Sequence, residues 1–171
     1  FDDGTRVARL PGPPYHFMSR VRSLEGPKEG AFKPGNTVIV DYDVPSDAWF
    51  FDAHPSRAMP YSVLLEVALQ PCGWLSSYTG SVLQVEEPLY YRNLDGKGAV
   101  RRHVSRDVGT VSTKATMTSS SMSAGMIIQS FTFEVSDADG VIFDGSTVFG
   151  FFPKGALERQ VGLGATDEER A

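Results

Sequence analysis

The chain is poor in the residues that build metal sites and disulfide frameworks, with one cysteine and three histidines in 171 residues. Cys72 has no partner for an internal disulfide, and no Cys/His spacing matches a metal site. It reads as a small buried hydrophobe. Positive charge is scarce as well. Lys and Arg number 16 against 21 Asp and Glu, a formal net charge of −5, which gives no reason to expect a nucleic-acid surface. No apolar run reaches the roughly 20 residues of a membrane span, and no secretory signal is visible. A cytoplasmic location is the expectation. Internal repeats are absent. Phe1 stands where a methionine would begin a whole protein, and a segment of a longer, multifunctional chain is the expectation.

What is present is ordinary for a globular domain: 41% apolar and 22% charged residues, and enough length for a sizeable core. We read one domain over residues 1–164, with an arm over 1–14, and a tail or linker over 165–171. A short helical turn is expected at 15–19, a strand at 20–24, a Gly/Pro loop at 25–35 and a β-branched strand at 36–44. Pro45 to Asp47 offers a stop and an N-cap before Ala48-Trp-Phe-Phe51. Beyond residue 80 the pattern changes to period two. Strands are expected at 81–85, 89–93, 99–105, 109–118, 126–136 and 141–152, and a turn of helix at 154–161. Asp95-Gly96-Lys97-Gly98 and Asp137-Ala-Asp-Gly140 are the turn signals. The serine-rich stretch Thr118 to Ala124, framed by methionines, reads as a bulge or loop.

Between the two halves lies a helix over about 60–79 that is apolar on nearly every side. Its exception is a stripe of Ser62, Glu66, Gln70, Gly73 and Ser77, spaced to share one face. A helix apolar all round is buried, so Glu66 is expected inside the protein, where an unpaired charge costs several kcal/mol. Two readings of Glu66 stand: a buried acid satisfied by Ser62, Gln70 or helix-start backbone, and half of an acid–base pair with His54, just upstream. One buried helix followed by antiparallel strands gives an α+β class, a sheet wrapped around a helix. The helix face left bare calls for a second copy or a neighbouring domain. Pro71 is expected to kink the helix. The arginines at 92, 101, 102 and 106 fit either an acidic partner or a solvated strand face.

Trp49-Phe-Phe51, His54, Met59-Pro60, Glu66 and Gln70 resemble the β-hydroxyacyl-acyl-carrier-protein dehydratases of the hotdog fold, in which a curved antiparallel sheet wraps one long central helix. The segments LPGPPYHFMSRV, MPYSVLLEVALQPCGWLSSY, YYRNLDG and FGFFPKGAL are similar to dehydratase domains of polyunsaturated fatty acid synthases and polyketide-type megasynthases. This resemblance implies that His54 removes a C2 proton from a 3-hydroxyacyl thioester while Glu66 protonates the departing hydroxyl. Backbone N–H groups at Tyr61 and Ser62 would hold the thioester oxygen, and Gln70 would orient the acid or a turn carbonyl. It implies no metal and no free cofactor, since the substrate rides the phosphopantetheine arm of an acyl carrier protein. It also implies a site at the interface of two hotdog units, in a homodimer or with a second hotdog domain of the same chain. Pro55 replaces the family's aromatic after the histidine, and the turn from His54 to Met59 is about two residues short. Tyr61 replaces the glycine of the family's Met-Pro-Gly. The alternative is a degenerate hotdog unit that scaffolds or completes a neighbouring site; thioester hydrolysis ranks third.

Overall fold

A computed structural model of the chain describes residues 9–26 and 32–159. Most of the expected arm, part of the Gly/Pro loop and the tail over 165–171 lie outside those residues. The described elements run β1 (Arg20–Glu25), β2 (Thr37–Asp43), α1 (Trp49–Ala53), α2 (Tyr61–Tyr78), β3 (Leu89–Val100), β4 (Thr110–Ser123), β5 (Met126–Asp137), β6 (Gly140–Pro153) and α3 (Lys154–Glu158). The strands form one antiparallel sheet in the order β1-β2-β4-β5-β6-β3.

The period-two pattern decides which face of this sheet is apolar. Val38 and Val40 of β2, Val111, Ala115 and Met117 of β4, and Ile127, Phe131 and Val135 of β5 are all buried. Strand alternation sends them to one side. Helix α2 lies across that side and buries Val63, Leu64, Val67, Ala68, Cys72 and Leu75 against it. Each large aliphatic among them contributes roughly 1.5–3 kcal/mol, far more than helix propensity, so packing sets the position of α2.

Pro71 stands inside α2 and has no N–H to give to the carbonyl four residues back. That carbonyl belongs to Val67, and the buried Thr113 hydroxyl of β4 donates to it at 3.0 Å. The sheet thus supplies the bond that the proline withholds. Thr113→Val should lower stability by about 1–3 kcal/mol, read as a shift of the urea midpoint without a change of slope. A second polar tie joins helix and sheet near the other end of α2. Gln129 of β5 accepts from Ser76 at 2.8 Å and donates to Ser81 and Ser120, with the Gln129 side chain fully buried.

Several expectations are corrected. Residues 15–19 form no helical turn: Tyr15 closes a turn with the Gly12 carbonyl, and the irregular segment after it is tied to α2 through Gln70. Asp47 is not the cap of α1, whose N-cap is Ala48 with no side-chain bond. Residues Ser81–Gln84 form a 3-10 turn, started by Gly80 in the left-handed region. The two strands expected at 89–93 and 99–105 are one strand, β3, which ends at Val100. Asp95 to Gly98 do not turn: Gly96 and Gly98 pair with Thr147 and Gly145 of β6, and Leu94 is absorbed as a bulge. A Cβ at position 98 would lie 2.6 Å from the Phe143 ring and 2.9 Å from the Asp144 carbonyl. Glycine serves a close approach there, not a reversal. The serine-rich stretch is mostly strand, with a bulge after Met117 and a tight turn at Ala124-Gly125, both at positive φ.

Candidate active site

Helix α1 ends at His54, whose backbone is extended. The turn that follows is tied locally. Arg57 N–H donates to the His54 carbonyl at 2.9 Å, and His54 Nδ1 lies 2.8 Å from Ser56 Oγ. Buried Met59 donates its N–H to the Val104 carbonyl at 2.9 Å, which pins the start of α2 beside the segment leaving β3. Pro60 is the N-cap, and both Val63 and Leu64 donate to its carbonyl. The N–H groups of Tyr61 and Ser62 precede the first intrahelical bond and point out of the helix end.

The polar stripe runs from there along the open flank of α2. Ser62 is exposed and Glu66 half-buried, whereas Gln70 is 3% exposed. Glu66 therefore does not sit deep in the core, as the apolar helix implied, but opens on this flank. Part of the cover expected from a partner comes from the chain itself. The Gln70 carbonyl accepts from Phe17 N–H at 2.8 Å, and its amide donates to the Tyr15 carbonyl at 2.9 Å and to Glu66 Oε2 at 3.2 Å. A backbone N–H needs an acceptor, so Phe17 fixes which end of the amide faces it. The N–H end is then turned to Glu66.

Among the described residues, three cavities follow the groove between α2 and the edge strand β3. The first, about 380 Å³, holds His54, Met59, Tyr61 and His103. The second, about 540 Å³, runs from Tyr61 and Leu65 to Asn93 and Gly98. The third, about 180 Å³, lies between Glu66, Gln70 and Gly73 on one side and Leu10, Tyr91 and Phe151 on the other. Tyr61 borders the first two, and Leu69 and Asn93 border the last two. Tyr61 is 58% exposed, its ring set edge-on to Phe143 at 5.9 Å, so it stands between cavities and fills neither. Within one chain, then, His54 and Glu66 open into different cavities of one groove. Desolvation of its phenol raises Tyr91 well above its ordinary value, and the negative charge of Glu66 raises it further. Glu66 adds to the rise at Tyr15 from the other side, after burial.

No protein-family model matches the chain. In sequence it is 37% identical over 130 residues, 74% of this chain, to one of the polypeptides of the polyunsaturated fatty acid synthase of a Thraustochytrium species. The chain spans 9% of that relative's length. In structure it is similar to the dehydratase heterocomplex ApeI:P from Xenorhabdus doucetiae, with a TM-score of 0.62, 15% identity, and coverage of 86% of this chain and 90% of that one. A hypothetical thioesterase with coenzyme A from Streptococcus pneumoniae matches at a TM-score of 0.54 and 11% identity, covering 77% and 85%. The chain belongs to the hotdog family of polyunsaturated fatty acid synthase domains.

In this hotdog domain, three of the arginines singled out from sequence are paired with acids. Arg101 meets Asp144 at 2.7 Å, Arg106 meets Asp52 at 2.9 Å, and Arg102 meets Asp137 and the Gly140 carbonyl. The Asp137 side chain is 7% exposed. Its bond from Arg102 holds it below the ordinary carboxylate value of 3.8 against the opposing effect of burial, helped by the Asp139 N–H. A lowered folded value stabilises above the unfolded one, and the gain is lost as pH falls through the folded value. Asp137→Asn should melt lower than wild type at about pH 7, with the gap closing as pH drops below about 3.8; paired thermal melts check it.

Sequence reading missed Leu10, Tyr91 and Asn93 as lining residues. Tyr91 and Asn93 carried a usable signal, since residues two apart on a strand share a face; the Tyr91 hydroxyl donates to Asn93 Oδ1 at 2.7 Å. His103 shares the His54 cavity, which spacing did not show. Among the described residues no group of three or more His, Cys, Asp or Glu is placed to hold a metal, and no helix is long and apolar enough to cross a membrane.

Proposed function

We propose that this hotdog domain dehydrates 3-hydroxyacyl thioesters to trans-2-enoyl thioesters, the substrate being carried on the phosphopantetheine of an acyl carrier protein. The observation that carries the reading is Glu66: a half-buried acid held by a buried amide at the mouth of an apolar cavity, four residues before Gln70 and seven after Met59. His54 takes the C2 proton, the C2–H electrons form the new double bond, and the C3–O bond breaks as Glu66 protonates the hydroxyl. The Gln70 amide occupies Oε2, which leaves Oε1 to carry that proton. The Tyr61 and Ser62 N–H groups face the place where a thioester oxygen gains charge.

Because His54 and Glu66 open into different cavities, the working site joins two hotdog units. The edge strand β3 offers the place for a second one. Residues 91–98 are all exposed, β3 is the last strand in the sheet order, and Tyr61, Leu94 and Val100 add exposed apolar surface beside it. A second reading is favoured by Tyr61, whose side chain stands where the family's glycine lets a thioester approach the backbone: a unit that completes a neighbour's site without turning over substrate.

The test is hydration of a trans-2-enoyl thioester, the reverse reaction, by the purified chain. Loss in both His54→Ala and Glu66→Ala supports the first reading. Activity that survives both, or that arises in the presence of a neighbouring domain alone, supports the second. Release of free thiol would point instead to thioester hydrolysis.

A further inference from the structure

We infer that Asn93 binds the C3 oxygen of the substrate from the side of the groove opposite Glu66, with Tyr91 holding its amide in place. The inference rests on the 3-hydroxyacyl reading above and deepens it. An oxygen that leaves as water takes a proton from one side and is steadied by a donor on the other. Gln70 is not free to be that donor, because its two N–H groups are spent on the Tyr15 carbonyl and Glu66 Oε2. Ser77 also lines the Glu66 cavity, but about three turns of α2 further on. Arg9 enters it from the arm, beside Leu10, which meets α2 at Gly73 about two turns past Glu66. Asn93 stands across the groove. It and Tyr91, two apart on β3, share a strand face and line the same cavity as Glu66. The Tyr91 hydroxyl donates to Asn93 Oδ1 at 2.7 Å, so the carbonyl end of the amide is taken and its N–H end is turned to the groove. Desolvation and Glu66 both raise the phenol, which keeps the proton that this bond needs. Asn93 also borders the cavity that runs from Tyr61. A substrate with its thioester oxygen at the helix start and C3 at Glu66, about one turn or 6 Å further along, passes Asn93 on the way. The bulge at Leu94 follows directly, and a bulge re-aims the side chains beside it.

In the reaction Glu66 gives its proton to the C3 oxygen as the C3–O bond breaks. The bonding pair leaves with that oxygen, and the Asn93 N–H stays on it until water departs. The experiment titrates the full chain with two ligands of one chain length, a 3-hydroxyacyl and a plain acyl chain. Each is joined to pantetheine by an amide, whose C2–H is less acidic than a thioester's. The quantity read is the ratio of the two affinities. Asn93→Ala should lower the preference for the hydroxylated ligand about three- to tenfold, one hydrogen bond, and leave the plain chain unchanged. Tyr91→Phe should lower it by less, since the N–H remains but is no longer aimed. A merely structural role would weaken both ligands alike and leave the ratio where it was. Asn93 is exposed, so its alanine variant should fold, and Tyr91→Phe gives an independent reading of the same contact. The inference is overturned if wild type binds neither ligand, if the ratio stays put in both variants, or if Arg9→Ala lowers it in their place. Parallel hydration assays separate the two proposals. A lowered ratio in a chain that does not hydrate removes the dehydratase reading and leaves the contact. Hydration with an unchanged ratio removes the contact and leaves the reaction.

Discussion

Glu66→Gln should lower trans-2-enoyl thioester hydration by roughly a hundred- to ten-thousand-fold, while the melting temperature stays near that of wild type. The substitution keeps the size of the side chain and its acceptor oxygen, so the Gln70 amide still has a partner and the arm stays seated. What it removes is the ability to give and take a proton at the reacting oxygen. Most of the loss should therefore fall in kcat, with KM little changed. Glu66 is half-buried and belongs to no ion pair among the described residues, so its neutral replacement leaves no stranded cation. His54→Ala should lose activity on the same scale, and its exposed contact with Ser56 makes little difference to stability. A Glu66→Gln protein that keeps full activity would leave the acid with a structural job.

The second large effect is on the fold. Gly98→Val should cost about 3 kcal/mol, at the upper end of overpacking, read as a fall in the denaturation midpoint. The valine side chain would enter the space of the Phe143 ring and the Asp144 carbonyl. Phe143 is 1% exposed and packs on Phe133 at 4.9 Å, so the ring cannot swing aside into water. The strand must lift instead, and residues 98–100 of β3 separate from β6. On the proposed docking of a second unit at β3, the same variant should associate more weakly, measured by sedimentation against concentration. Gly98→Ala should show both effects more mildly.

These two positions also show what can be read from the sequence. Glu66 and Gln70 are legible through helical spacing, because α2 obeys its period over its whole length and packing agrees with it. The α+β class follows from the same contrast of periods. Gly98 reads wrongly as a turn residue, since a glycine that permits a turn and a glycine that permits close packing look identical without the partner strand. What decides between them is Phe143, 45 residues away in sequence. The depth of Glu66 is hidden for a related reason. An apolar helix says that its faces are covered, but not that the arm covers one of them and leaves a groove beside another. Thr113 and the Val67 carbonyl make the same point: the proline is visible and its remedy lies in a distant strand.

The central claim is that His54 and Glu66 act together across the boundary between two units. The most direct test mixes purified His54→Ala and Glu66→Gln chains, each inactive alone, after their protomers have been allowed to exchange. On the proposed reading, a preparation of this chain alone puts another copy in the place of the second unit. Half of the mixed pairs then combine one variant of each kind, and one of their two sites has both groups intact. The account predicts that hydration returns to about a quarter of the wild-type rate. A mixture as inactive as its components, under conditions where wild type turns over and exchange is shown to occur, would contradict it.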